Sequence, residues 1–321
     1  MSQLLTAYFR EVAAAWNRFW FTPSNPATVC LMRILVGLML VYTHLVWTFE
    51  LPTFMGASGV FPETLQSQIT GEGSWAWSHF YWIDSDAWLW GSHFVSLGFL
   101  IAFTVGWQTR LTSIVAFLIT VSYANRANGA LFGLDQINSF LTLYLAIAPS
   151  GLMYSVDALW KHRGRGTLEP THASTLATVS VRLMQWHLCV VYFFAGIGKL
   201  QGISWWDGTA IWGAFASYEY QTIDMTWLVH LPWLVNLITI GSVFWELSYA
   251  FLIWPRLTRP IMLLGAVVIH LGIGACMGMI TFGLIMIIAN MAFLSPDLIQ
   301  NLVQRVRSLF SGLPEKSTQG G

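Results

Sequence analysis

The chain has 321 residues, 55% of them hydrophobic and only 9% charged, with 15 basic and 15 acidic side chains and a formal net charge of zero. A soluble domain carries roughly 25% charged residues, so this composition excludes an ordinary soluble fold and predicts an all-α, polytopic helix bundle embedded in the lipid bilayer. The balanced charge supplies no field for a polyanion, and no nucleic acid is expected as a partner.

In chain order, residues 1–26 lack the basic start, apolar run and small-residue site of a cleaved signal. They predict an interfacial amphipathic helix with Arg10 and Arg18 towards water and Trp16, Phe19 and Trp20 towards lipid. Residues 27–294 form the predicted transmembrane domain. Its first span, Ala27 to Trp47, holds Arg33 and His44, and a long polar-aromatic loop follows with Glu50, Glu63, Glu72, Asp84 and Asp86 but no Lys or Arg. The second span is about Trp88 to Trp107. Two short spans come next, Leu111 to Tyr123 and about Leu131 to Ala148, separated by the polar turn Ala124 to Gly129. A basic loop, Lys161 to Arg165, leads to the fifth span, about Leu176 to Leu200, and then to a second acidic loop with Asp207, Glu219 and Asp224. The remaining spans are about Leu234 to Trp254, Ile261 to Met277 and Ile280 to Phe293. In residues 295–321, Ser295 and Pro296 read as a helix start, which opens an interfacial helix carrying Arg305 and Arg307 and ending in a disordered tail, EKSTQGG. Cys30, Cys189 and Cys276 all lie in apolar spans and read as packing residues rather than disulfide partners.

Basic residues favour the cytosolic side. Eight spans with both termini cytosolic place Arg10, Arg18, Arg110, Lys161, Arg163, Arg165, Arg256, Arg259, Arg305, Arg307 and Lys316 inside and both acidic loops outside. A multi-pass protein of a bacterial inner (plasma) membrane is the expectation.

The fifth span carries the strongest functional signal. Arg182, Gln185, Cys189, Tyr192, Gly196 and Lys199 follow one another at spacings of 3, 4, 3, 4 and 3, one stripe of a helix. Charges at membrane depth face protein or a cavity and mark functional candidates. Counting about 1.5 Å per residue from the cytosolic ends puts Arg33, Arg182 and Glu246 in the inner half, where they read as a charge-neutral structural cluster. Lys199, Tyr192, His270, Arg126 and Asp135 fall in the outer half. A lysine at a helix end, taken alone, is one that snorkels to headgroups. Here the turn Gly202 to Gly208, with Trp205, is placed to fold back over Lys199, and an apolar aromatic setting favours the neutral amine that serves as a general base. His270 alone reads as a hydrogen-bonded core histidine; at the depth of Lys199 it also reads as a site residue. His44, His93 and His187 have no metal-ligand spacing, and no metal site is expected.

The run VVYFFAGIGKL, Val190 to Leu200, followed by Trp205-x-x-Gly208, resembles the lysine helix of the vitamin K-dependent gamma-carboxylases, whose bacterial relatives form the horizontally transferred transmembrane (HTTM) domain family. Glu246 to Pro260, ELSYAFLIWPRLTRP, with His270 beyond it, is similar to that family's acidic residue, Thr-Arg-Pro and intramembrane histidine. Gly133-x-Asp135-Gln136 leading to Ser155-Val156-Asp157 is a weaker match. The resemblance covers the whole membrane region. It implies Lys199 and His270 as catalytic residues and a vitamin K-type naphthoquinol as cofactor, deprotonated by the lysine and oxygenated to an epoxide in a lyase-class carboxylation; Tyr192, Asp135 and Arg126, by their depth, and Trp205, by the turn over Lys199, are the expected ligand-binding residues. The carboxylases carry an Asn-His pair where this chain has Gly133 to Gln136, and a large lumenal domain with no counterpart here, so a protein partner supplying a soluble domain is expected. Two functional classes stand: a quinol-dependent oxygenase or carboxylase-like enzyme, and a non-enzymatic quinone- or lipid-binding or partner-assembling module.

Overall fold

The structure, a computed structural model, describes residues 2–60, 62, 75–162 and 173–311; Glu63, Glu72, Arg163, Arg165, Lys316 and the tail EKSTQGG lie outside them. Ten helices carry the architecture: α1 (Ser2–Phe21), α2 (Ala27–Phe49), α3 (Asp86–Val105), α4 (Thr109–Arg126), α5 (Gly133–Ile147), α6 (Thr175–Lys199), α7 (Pro232–Leu252), α8 (Arg259–Met277), α9 (Ile280–Asn290) and α10 (Pro296–Ser311). No strand occurs among the described residues, as the composition predicts.

Five of these helices, α2, α3, α6, α7 and α8, are long and apolar enough to cross a membrane, and Ile280–Phe293 is a shorter apolar segment. The others are shorter or more polar. Large apolar side chains such as Leu38, Leu45, Phe244, Phe251, Leu264 and Val268 are exposed on the outside of the bundle, a surface that water would not tolerate and that hydrocarbon accepts. Half of the α2 span is buried but only 22% of the α7 and α8 spans, so α2 is the central helix. It packs against α3, α5, α6, α9 and α10. The acidic loop after α6 is more ordered than its polarity suggests, folding into the short helices Ile203–Trp206 and Ala210–Phe215 and a 3-10 turn at Thr226–His230.

Successive helices from α2 to α9 alternate in direction, and their connections gather at two ends. At one end Ser24 pairs with Ser174 through two main-chain bonds, Arg33 reaches the loop after α5, and Arg182 reaches the last turn of α1. This end carries Arg110, Arg256 and Arg259. At the other end the Arg126 guanidinium holds the Met55 and Gly56 carbonyls and the Thr222 amide meets the Cys276 carbonyl.

The basic end is fastened by a small knot. Arg33, fully buried, donates from Nη1 to the Ser150 carbonyl at 2.6 Å and from Nη2 to the Tyr154 carbonyl at 2.6 Å. Gly106 ends α3 at φ +74°, the left-handed turn that glycine adopts without cost, and a Cβ there would lie 2.5 Å from the Ser155 side chain and 2.7 Å from the Arg33 guanidinium. Asp157 closes the knot. Its carboxylate accepts from the Gln108 amide at 2.8 Å and from the Thr109 amide and hydroxyl, each at 2.7 Å, an anion seated at the N-terminus of α4. Burial pushes this carboxyl up, but the Thr109 and Gln108 bonds and the nearby Arg33 charge outweigh burial and hold it below its ordinary value.

A carboxylate depressed on folding stabilises above its unfolded pKa of about 4 and loses that contribution as pH falls through the lower folded value. Asp157→Ala should therefore lower stability at pH 7 by about 1 kcal/mol and remove part of the acid-induced loss below about pH 4; thermal melts in detergent at pH 7 and pH 3.5 measure both.

Candidate functional site

The stripe on α6 faces the bundle: Gln185, Cys189, Tyr192 and Gly196 are buried. Its upper end meets α7. Gly196 lies against Leu247, where a Cβ would come within 2.9 Å of the leucine side chain, so the two helices approach closely one turn below Lys199. There the Lys199 ammonium is ion-paired with one carboxylate oxygen of Glu246. The other oxygen, Oε2, is buried without a hydrogen-bond partner among the described residues.

The chain turns back after Lys199, as its glycines and tryptophans predict. Gly202 N bonds the Lys199 carbonyl at 3.0 Å, Trp206 Nε1 donates to the Leu200 carbonyl at 2.7 Å, and the Trp205 ring stands 4.9 Å from Lys199 Nζ. That geometry adds a cation–π attraction to the ion pair.

Deeper in the bundle the stripe joins a second network. The Tyr192 hydroxyl is 2.7 Å from His270 Nε2 on α8 and accepts a bond from Asn290 Nδ2 on α9 at 2.9 Å. Asn290 Oδ1 in turn accepts from the Tyr249 hydroxyl on α7 at 2.6 Å. With the amide donating to it, the Tyr192 hydroxyl has its own proton to give to Nε2, which leaves the imidazole proton on Nδ1. That atom is buried and without a partner among the described residues. Trp245 lies edge-on to Tyr192 with ring centroids 5.0 Å apart, and Phe282 lies edge-on to His270 at 5.7 Å. Trp245 Nε1 is likewise buried without a partner among the described residues. Lysine, carboxylate, imidazole and phenol thus share one aromatic-walled region between α6, α7, α8 and α9.

Not every expected residue joins it. Glu246 answers Lys199 rather than the two arginines, so the cluster of Arg33, Arg182 and Glu246 does not form. Arg33 is held by main-chain carbonyls, while Arg182 donates to the Phe19 carbonyl and to Gln185 Oε1 and sits 4.1 Å above the Phe19 ring. The Asp135 carboxylate accepts the Phe132 amide at 3.2 Å and caps its own helix, and Arg126 grips Met55 and Gly56. Neither side chain bonds Lys199 or His270. Asn290 and Tyr249 went unrecognised in the sequence, although an Asn inside LIMIIAN and a Tyr one turn beyond Glu246 are the signals that mark them.

A separate polar cluster occupies α2, α3 and α4. His93 is bonded to the Tyr123 hydroxyl at 2.7 Å and to Thr48 at 2.9 Å, and the His44 ring packs on Tyr123 with centroids 4.3 Å apart. On the loop before α3, His79 bonds Ser122 at 2.6 Å, and burial lowers its imidazole pKa to about 4.

A family model for the HTTM domain matches residues 21–298 of the chain. The sporulation-delaying protein SdpB of Bacillus subtilis (strain 168) is 27% identical over 203 residues, an alignment that covers 60% of this chain and 60% of that protein. No solved structure matches the chain.

The Lys199–Glu246 pair is partly covered, with 26% and 10% of the side chains exposed. Its coupling should fall between the value of about 0–1 kcal/mol for surface pairs and the cost of roughly 3–5 kcal/mol for breaking a buried one. Lys199→Met and Glu246→Leu should each lower the melting temperature, while the double variant recovers part of the loss; additive effects would show that the pair contributes nothing.

Proposed function

The chain belongs to the HTTM domain family, and from that premise we propose that it binds a quinone-type headgroup beside Lys199 and moves a proton there. The observation that carries this reading is the Lys199–Glu246 pair, roofed by Trp205 and set next to the Tyr192–His270–Asn290 network. Glu246 Oε2, Trp245 Nε1 and His270 Nδ1, buried and without partners among the described residues, lie among aromatic rings. Aromatic walls with a few convergent polar groups suit a flat, oxygen-bearing headgroup, so the residues present fit a naphthoquinol. When bound, a quinol supplies an acidic hydroxyl and two reducing equivalents.

Lys199 would hold the acidic hydroxyl of such a group, and by passing one of its own protons to Glu246 it would become the neutral amine able to take that hydroxyl's proton, with no net charge created in the pair. Trp205, 4.9 Å from the ammonium, covers part of it from water, which would strengthen its hold on an anion. His270, oriented by Tyr192, offers Nδ1–H to a second oxygen. With oxygen as co-substrate this arrangement supports a quinol-epoxidising, carboxylase-like enzyme; without it, the same site is a quinone- or lipid-binding module that assembles with a partner.

Eight crossings, with the basic end and both termini in the cytosol of a bacterial plasma membrane, complete the reading. The segregation of Arg110, Arg256 and Arg259 to one end supports it, and a bacterial relative agrees with the setting. It places the Lys199 site nearer the outer leaflet.

Two outcomes are expected. Lys199→Met should abolish epoxide formation from reduced naphthoquinone and oxygen while Lys161→Met leaves it unchanged, as measured by product chromatography. Equal rates in wild type and Lys199→Met would remove the enzyme and leave the binding module. A cysteine at Ser217 should label in intact cells with a membrane-impermeant maleimide, and one at exposed Lys161 only after the membrane is permeabilised; labelling of Lys161→Cys in intact cells would overturn the orientation.

A further inference from the structure

A second site lies at the basic end, far from Lys199 along α6. The first turns of α2 and α6, the α7–α8 connection and the start of α10 surround a cavity of about 310 Å³, and Arg182, Arg256 and Arg259 all line it. Among the described residues none of the three forms an ion pair. Arg182 also lies within the field of the Arg259 charge. Three like charges around one cavity repel one another, and an anion between them removes that repulsion.

The guanidiniums are oriented rather than loose. Arg182 is fixed by Nε to the Phe19 carbonyl at 3.2 Å and by Nη1 to Gln185 at 2.8 Å, and Arg259 by Nε to the Ile253 carbonyl at 3.2 Å and by Nη2 to the Trp254 carbonyl at 2.7 Å. Among the described residues, Arg182 Nη2, Arg259 Nη1 and the whole Arg256 fork have no acceptor and keep their N–H groups for another. Thr28, 2% exposed, brings a fourth donor to the same cavity: its hydroxyl is buried and without a partner among the described residues.

Beside this cavity runs an apolar groove of about 570 Å³, walled by Phe19, Trp186, Phe193, Phe251 and Trp254. No residue lines both spaces, but two that wall the groove hold arginines of the cavity. Phe19 lines the groove while its ring supports Arg182, and Trp254 lines it while its carbonyl holds Arg259. Cationic forks at the bundle end with an apolar slot alongside match one amphiphile, a phosphate with its hydrocarbon chain.

We propose that this is a specific site for an anionic phospholipid, with the phosphate held by Arg182, Arg256, Arg259 and Thr28 and an acyl chain in the groove. A free phosphate would use the arginines but not the groove. A zwitterionic lipid would bring a cation into a site that already holds three.

Native mass spectrometry of the full chain in detergent tests this, with phosphatidylglycerol, phosphatidylcholine and inorganic phosphate as the three probes. Phosphatidylglycerol should bind at least about tenfold more tightly than phosphatidylcholine, since every 1.4 kcal/mol is a factor of ten. Arg256→Gln is the cleanest variant because that side chain holds no part of the fold. It should weaken phosphatidylglycerol about fivefold, the effect of one basic residue at an anionic surface, and Arg256→Gln with Arg259→Gln should weaken it further. Arg305→Gln, on exposed α10, should change nothing, and Trp186→Ala should weaken phosphatidylglycerol alone. Equal affinity for the two lipids, or an equal effect of Arg305→Gln, would reduce the site to general surface charge and overturn the proposal. Saturation by millimolar inorganic phosphate with displacement of the lipid would make it a free-anion site and overturn it equally.

Discussion

Hydrocarbon offers a charge no partner, so each ionic group in this bundle has to be answered by another part of the chain. The Lys199–Glu246 contact is where that constraint bears most heavily. It joins the end of α6 to the body of α7, relies on Gly196 to let the two helices approach, and brings the Trp205 turn down over the ammonium. The Tyr192–His270–Asn290–Tyr249 network beneath it then ties α6 and α7 to α8 and α9. Without the ion pair a cation would stand at the top of this network with no counter-charge, and the aromatic packing around it would face a solvation demand it cannot meet.

Much of this was legible in the sequence. The six-residue polar stripe on α6, the fold-back after Lys199 and the similar depth of Tyr192 and His270 all follow from spacing and from the rarity of ionisable groups in apolar spans, although their hydrogen bond does not. The partnership of Glu246 was not. Counting residues along straight helices set Glu246 well inside Lys199, but helical side chains lean towards their own N-terminus. On antiparallel helices the two therefore lean towards each other and close the gap. Main-chain partners leave even less trace: Arg33, Arg126 and Asp135 look like half of an ion pair or a ligand contact in the sequence, yet each is occupied by backbone carbonyls or an amide. No spacing rule marks a carbonyl as the answer to a guanidinium.

The two halves of the bundle handle polarity differently. Around α2, α3 and α4 the histidines meet hydroxyls, although His44 Nε2 and His79 Nε2 stay buried without partners among the described residues. Around α6, α7, α8 and α9 the network has Glu246 Oε2, Trp245 Nε1 and His270 Nδ1 in the same condition and adds formal charge. The ion pair, rather than the number of histidines or of unpartnered atoms, separates the two regions, because an unsatisfied network that also holds charge gains most from a ligand that completes it.

Gly106 illustrates how the fold spreads the influence of a buried charge. By sequence it is an unremarkable glycine at the end of a span. In three dimensions its missing side chain is the space that the Arg33 guanidinium and Ser155 occupy, and its carbonyl receives the amide of Asp157. Tolerance to substitution at this connector is thus governed by an arginine more than seventy residues earlier in the chain. A survey of every position for mutational tolerance would group Gly106 with the interior of α2, as a residue whose volume is already in use by another part of the molecule.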